Sequence, residues 1–190
     1  MDSRNQEAVG SRQEKIDVRE ERMEKIYYSS FESPWLKKVF VASTEKGVCM
    51  VDFLVQEKTF LKELKGCFPG EIIRDNRKNQ KALSQLQQYL KGKLRCFDCK
   101  LDMKGTPFQK KVWSALAKIP YGETRSYQDV ARAIGHPKAF RAVGNANGNN
   151  PIPLIIPCHR VIETNGGLGG FGHGLKVKKE LLGFEKTHAL

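Results

Sequence analysis

The stretch Leu154-Ile155-Ile156-Pro157-Cys158-His159-Arg160-Val161 constrains this chain more than any other. A run of aliphatic residues carries the backbone into an interior, and Pro157 fixes the backbone dihedral immediately before a thiol. An imidazole and a guanidinium follow at once. Cysteine reacts as the thiolate, and neighbouring positive charge or a base raises the thiolate fraction. The competing account is a small buried cysteine beside a solvated His-Arg pair, since free cysteine is among the most buried residue types.

The 190 residues suffice for one good-sized domain or two small ones. A formal net charge of +12 favours a polyanionic partner, nucleic acid before membrane, and leaves open a merely soluble basic protein. No apolar run approaches the roughly 20 residues of a membrane span, and the charged N-terminus lacks the apolar core of a secretory signal. Five cysteines, an odd number, argue against a disulfide framework and for a reducing compartment: the nucleus in a eukaryote, otherwise the cytoplasm. Cys96-Phe97-Asp98-Cys99, with Cys49 and Cys67, could be assembled into a zinc site, but structural zinc usually shows two tight ligand pairs. We expect no metal.

Residues 1–25 alternate acid and base, seven against six, with few apolar positions, and read as a disordered or loosely helical charged tail. Beyond it, aromatic and β-branched runs at 25–31, 35–42 and 47–54 are separated by turn material and predict a three-stranded antiparallel meander. A short helix over 57–64, another strand at 71–74 and a helix over 79–92 follow, the last with Leu83, Leu86 and Leu90 at helical spacing. Nothing in this first half looks catalytic. An extended linker at 96–101 leads to Thr106-Pro107-Phe108-Gln109, which carries a capping residue, a proline at the first helical position and a capping-box glutamine. That helix is predicted to run to about Lys118, with Val112, Trp113 and Leu116 facing a core.

A short capped helix over 126–135 and a second over 138–147, joined through Gly135-His136-Pro137, form a helix-turn-helix pattern. Ala139, Ala142, Gly144 and Ala146 allow close approach to a backbone, and Arg141 projects among them, either toward nucleic acid or into a surface salt bridge. A short proline-stiffened segment ties this pair to Cys158, an arrangement that suits an enzyme acting on an extruded base. The glycine-rich stretch 165–174 is either a flexible hairpin turn or a pocket wall that grips a flat polar ring by main-chain groups. A closing helix over 175–184 leaves Glu185 just beyond it, where it could orient His159; spacing alone reads as a solvated terminal charge.

Gly-Thr-Pro-Phe-Gln from Gly105, Val-Trp, Ile-Pro-Tyr-Gly-Glu-Thr, Ser-Tyr, Arg-Ala-Val-Gly, Asn-Pro and Ile-Ile-Pro-Cys-His-Arg-Val together closely resemble the O6-alkylguanine-DNA alkyltransferase family, also called the methylated-DNA–protein-cysteine methyltransferases. The match runs from about Tyr27 to Glu185 and is densest from Gly105 onward. The resemblance implies an α+β protein: a small α/β domain with an antiparallel, ribonuclease H-like sheet in 26–104, then a mostly helical domain with the helix-turn-helix in 105–190. It also implies a suicide repair reaction on double-stranded DNA containing O6-alkylguanine, bound through the minor groove by a monomer without cofactor.

By the same resemblance, Cys158 would accept the alkyl group, His159 would act as base through a water, and Glu185 would hold the other ring nitrogen. Asn150 would brace the turn, and Tyr127 would bond a ring nitrogen of the flipped guanine. The carbonyls of Cys158 and Val161 would accept from the guanine amino group, and the Gly172 amide would donate to O6 beside Phe171. Arg141 would fill the gap in the stack, with Ser126, Lys138, Ala139, Ala142 and Gly144 along the DNA. The chain departs from the family pattern at Asn147, often bulkier; at Phe171, often Tyr; at Gly172; and at His173, whose charge could favour the thiolate or which could face solvent. Two other classes remain: a non-catalytic alkylated-DNA sensor or helix-turn-helix regulator, and a Cys-His hydrolase.

Overall fold

The structure, a computed structural model, describes residues 24–189, so the expected tail lies outside the described residues except at its last two positions. Strands β1 (Lys25–Ser33), β2 (Lys37–Thr44) and β3 (Gly47–Phe53) form the expected antiparallel meander. Trp35, expected in the second strand, lies in the turn before it, where the Leu36 amide donates to Ser33 Oγ at 3.3 Å.

The sheet is mixed rather than antiparallel throughout. Helix α1 (Glu57–Cys67) carries the chain across from β3, so β4 (Glu71–Arg74) enters beside β1 in the parallel sense, giving the order β3-β2-β1-β4. A parallel neighbour needs such a crossover. Alternation along β2 divides the core in two. Phe40 and Ala42 pack with Phe60, Leu64 and Phe68 on the α1 side. Val39 and Val41 face α2 (Gln80–Leu90) and join an apolar cluster continuous with the second half of the chain.

Strand β3 is an edge, and an open edge invites pairing with another chain. Here it is covered. The linker after α2 pairs Leu101 with Val48, and the Val51 amide donates to the Pro151 carbonyl at 2.9 Å. The edge strand thus touches the loop that leads to Cys158. Cys96 is exposed, Cys99 donates to Gln85 Oε1, and among the described residues no three His, Cys, Asp or Glu side chains gather as a metal site.

Helix α3 (Pro107–Leu116) starts with the capping box read from Thr106 and Gln109, and ends two residues sooner than its pattern suggested. Trp113 Nε1 donates to the Ala146 carbonyl at 2.8 Å, which fixes α3 to the second helix of the helix-turn-helix. That pair is α4 (Tyr127–Ala133) and α5 (Phe140–Gly148). The turn between them includes Gly135 at φ 77, a left-handed conformation suited to glycine. Lys138 and Ala139, expected on the second helix, lie in the turn before it. Short parallel strands β5 (Arg125–Ser126) and β6 (Val161–Ile162) bring the start of α4 beside the end of the cysteine turn.

Helix α6 (Leu175–His188) runs past the end expected for it, so Glu185 is inside the helix and not beyond it. Lys178, Leu181 and Glu185 share its buried face at spacings of three and four residues. No helix among the described residues is long and apolar enough to cross a membrane.

Candidate active site

Residues 152–161 are buried without a break, beyond the aliphatic run and through His159 and Arg160. Pro157 has φ −80 and ψ 66, and the Cys158 amide donates to the Ile156 carbonyl at 2.8 Å. This is an inverse γ-turn, which proline can centre because the central residue's own N–H is not used. Asn150 braces it from outside: its Nδ2 donates to the Ile156 carbonyl at 2.7 Å, and its Oδ1 accepts from the Ile152 amide at 3.1 Å. Leu154 is held at φ 72, a sparsely populated conformation for a residue with a side chain, in the middle of this braced loop.

His159 and Arg160 do not form a solvated pair. His159 is fully buried, Arg160 nearly so, and both turn inward onto Glu185, itself fully buried. His159 Nε2 lies 2.8 Å from Glu185 Oε1. Arg160 donates through Nε to Oε2 and through Nη2 to Oε1, both at 2.8 Å, and through Nη1 to the Ile119 carbonyl at 2.6 Å. The Gly122 amide donates to Oε2 at 3.1 Å, and the Tyr89 hydroxyl, from α2, donates to Oε1 at 2.6 Å. Glu185 is therefore no terminal surface charge. Burial alone would raise its pKa, but hydrogen bonds from His159 and Arg160 outweigh that and hold it well below the usual carboxylate range.

A carboxylate only accepts, so the bond assigns the His159 proton to Nε2. Nδ1 is then left with its lone pair, buried and without a hydrogen-bond partner among the described residues. Burial depresses the imidazole pKa below its ordinary 6.5, against the pull of Glu185. The ring is thus neutral at pH 7 and able to take a proton at Nδ1.

The thiol is not primed in the simple way that an adjacent imidazole and guanidinium suggest. Cys158 is 5% exposed, and burial pushes its pKa up, with the Asn150 side chain and Lys178 pulling the other way. Lys178 was not singled out in the sequence, yet it is the one ammonium group of the described residues that is fully buried. Its Nζ donates to the carbonyls of Val161 at 2.5 Å and Gly170 at 3.2 Å, and also to that of Leu168. It thereby ties β6 to the middle of the glycine-rich loop. Burial brings its pKa down to about 8, while Cys158 and Glu163 favour its charged form.

The glycine-rich stretch is an ordered wall. Gly169 has φ 63, and a Cβ there would lie 2.8 Å from the Tyr127 ring and hydroxyl, so only glycine fits behind that tyrosine. Tyr127 donates weakly to the Gly170 carbonyl at 3.4 Å, and burial raises its pKa, so it remains a donor. Tyr127, Gly144, Asn147 and Gly148 on one side and Gly169 to Phe171 on the other enclose a cavity of about 740 Å³ with Arg141 on its rim. A second, much smaller cavity of about 30 Å³ adjoins it, sharing Asn147, Gly148 and Phe171, and is lined by Cys158, Gly172 and His173. The sulfur lines the smaller of the two chambers of this cleft.

The structure corrects or qualifies several expected contacts. Ser126 is buried, and its hydroxyl is engaged with Asp129 as the cap of α4. The carbonyls expected to accept from the guanine amino group already have donors, the Val161 amide on Cys158 and Lys178 on Val161. Each keeps one lone pair. His173 neither faces solvent nor pairs with the thiol: its Nε2 lies 2.7 Å from Asp52 Oδ1. Arg141, Lys138 and Ala142 are exposed on one side of the cleft, Ala139 and Gly144 partly so.

Comparison with known proteins gives the following. The profile described as 6-O-methylguanine DNA methyltransferase, ribonuclease-like domain, matches residues 26–103, and that of the DNA binding domain of the same family matches 107–187. A methylated-DNA–protein-cysteine methyltransferase of Methanosarcina barkeri is 45% identical over 163 residues, 86% of this chain and 99% of that protein. The constitutive methylated-DNA–protein-cysteine methyltransferase of Bacillus subtilis is 42% identical over 161 residues, 84% of this chain and 95% of that protein. The crystal structure of Mycobacterium tuberculosis OGT in complex with DNA superposes with a TM-score of 0.75 at 41% identity, covering 85% of this chain and 94% of that one.

Proposed function

The chain belongs to the 6-O-methylguanine DNA methyltransferase family, so that it binds DNA and repairs O6-methylguanine by methyl transfer to a protein cysteine, and from that premise we propose that Cys158 is the acceptor. The observation that carries this assignment is the pair of cavities that share Asn147, Gly148 and Phe171, the smaller lined by Cys158, whose neighbour in the chain, His159, is hydrogen-bonded to Glu185.

The base of O6-methylguanine turns out of the duplex into the larger cavity, against Tyr127 and the glycine wall. O6 alkylation removes the N1 proton and weakens pairing, so extrusion costs less for the lesion than for guanine. The methyl group then points into the small cavity at Cys158. Neutral His159 accepts the thiol proton at Nδ1 through a water, and Glu185 stabilises the imidazolium. The thiolate attacks the methyl carbon in line. The S–C bond forms, the C–O6 bond breaks, and the electron pair leaves on the purine. The Gly172 amide at O6 and the Tyr127 hydroxyl at a ring nitrogen strengthen as that charge develops. Tyr127 and Gly169 to Phe171 line the larger cavity, Gly172 lines the smaller one, and the raised pKa of Tyr127 keeps its proton available.

A buried thiol with a raised pKa fits this order of events: it stays protonated at rest and ionises only with the substrate seated. Water does not return a thioether to the thiol, so one molecule repairs one lesion.

The test is the intact mass after mixing with duplex containing O6-methylguanine. One methyl is expected on Cys158 and none on Cys158→Ala; a methyl on another residue, or none on the wild type, ends the assignment. Arg141, exposed on the cleft rim against the Phe140 ring, fills the space of the extruded base. Arg141→Ala is expected to slow transfer from duplex by on the order of tenfold or more, the scale of a few kcal/mol of unstacking, and to leave transfer from the free modified base much less affected. Equal slowing on both substrates would contradict the finger role.

A further inference from the structure

A second large concavity, a groove of about 730 Å³, lies between α3 and α4 and shares no lining residue with the cleft. Its α4 residues Asp129 and Ala133 stand about 100–140° round that helix from Gln128, which lines the cleft, so α4 divides the two. Their charges differ as well. The larger chamber of the cleft is lined by one cation and one anion, Arg141 and Glu163. The groove is lined by four cations, Lys110, Lys111, Lys118 and Arg125, against Asp129 alone. Asp129 is already held by Ser126 and Arg132, and Arg125 by Glu123. The three lysines are exposed and have no hydrogen-bond or ion-pair partner among the described residues. Gathered like charges without counter-ions repel, so a polyanion seated there relieves the repulsion and sheds its own condensed cations.

The first 25 residues of the chain, seven acids against six bases, lack the excess negative charge to cover such a groove. Duplex DNA, which this family binds, carries one negative charge per ~1.7 Å of axis. Ser114, Ala115 and Ala133 also line the groove; they are small enough to let a sugar–phosphate backbone approach, and the serine hydroxyl can donate to a phosphate. We propose that the groove is a second DNA site, which holds the phosphate backbone of another duplex segment while the cleft holds the lesion. Phosphate contacts carry no sequence information, so such a site lets one molecule pass between neighbouring segments in its search for damage. This inference rests on the cleft being the lesion site, and its test separates the two.

Cys158→Ala, which lacks the acceptor, is bound to a bead-linked duplex carrying O6-methylguanine, and capture of a labelled undamaged duplex is followed against salt. Capture is expected, and it should weaken about fortyfold between 50 and 200 mM salt, the counterion release of three phosphate contacts. Analytical ultracentrifugation of the same mixture in solution should show one protein with two duplexes. Changing Lys110, Lys111 and Lys118 together to Gln should cut capture by on the order of tenfold or more. Changing Lys58, Lys62 and Lys65 on α1 to Gln is the same loss of charge at exposed positions elsewhere, and should leave capture within about twofold. With Cys158 in place, both triple variants should take up methyl from a lesion duplex at the wild-type rate. Equal capture by the two triple variants, no capture by the parent, or complexes of two proteins with two duplexes overturns the second site and leaves the acceptor assignment standing. Capture of labelled poly-glutamate but not of duplex also overturns it and makes the groove a docking surface for acidic protein. Absence of methyl on wild-type Cys158 removes instead the reading on which the second site rests.

Discussion

Glu185→Gln is expected to lower the rate of methyl transfer by at least about a hundredfold, within the range that general-base groups supply. Five donors converge on this carboxylate, from Tyr89, Gly122, His159 and twice from Arg160. An amide presents one oxygen and one NH₂ group, so at least one of these donors would face another donor. Arg160 would then be a buried cation without its counter-ion, a loss that typically costs about 3–5 kcal/mol. For a chain of this size that amounts to a fall in Tm of roughly 10 °C. The pH dependence has a definite sign. A carboxylate with a depressed folded pKa contributes stability that is fully present above its ordinary value of 4.5 and is lost as the pH falls toward the folded value. The stability gap between wild type and Glu185→Gln should therefore be widest near neutrality and close in acid. Reactivity of Cys158 toward a small thiol reagent should fall along with transfer. Unchanged transfer and unchanged Tm would leave Glu185 a bystander.

Why the local elements were legible and this network was not follows from where the information lies. The caps at Thr106 and Ser126 are strings of neighbouring residues whose geometry is fixed within one turn, so both helix starts could be read directly. The burial of the aliphatic run Leu154 to Ile156 follows from composition alone, whereas that of His159 and Arg160 does not. The partners of Glu185 come from α2, the turn at Gly122 and the cysteine turn, and only tertiary packing assembles them. One local signal was nevertheless available. Lys178, Leu181 and Glu185 lie at helical spacing, and a polar residue at each end of an apolar stripe marks a buried polar site once the helix is allowed its full length. Ending the helix at Phe184 hid that pattern. The sheet's mixed sense and the pairing of His173 with Asp52, 121 residues apart, have no signature in either segment taken alone.

Lys178 yields the second large effect. At pH 7 it is the buried cation nearest in influence to a thiol that must become a thiolate, and it ties together the carbonyls of Val161, Leu168 and Gly170. Lys178→Met keeps the length of the side chain and removes both functions. Transfer should fall by roughly a hundredfold, since a charge-assisted interaction and three carbonyl partners are lost together. The pH profile distinguishes this from mere loosening of the loop. In the wild type the rate should fall on the acid side as His159 protonates, below its ordinary 6.5 because burial depresses it. It should fall again on the alkaline side as Lys178 gives up its proton, near its depressed value of about 8. The two limbs make a bell whose pKa values belong to the coupled site. In Lys178→Met the alkaline limb should vanish while the acid limb stays. Stability supplies an independent check with the opposite reference: a lysine whose folded pKa lies below its ordinary 10.5 binds fewer protons folded than unfolded between about 8 and 10.5, so its contribution to stability rises with pH across that window. Removing Lys178 should flatten that rise. An alkaline limb identical in wild type and variant would assign the fall to another group and leave Lys178 as a tie between loop carbonyls alone.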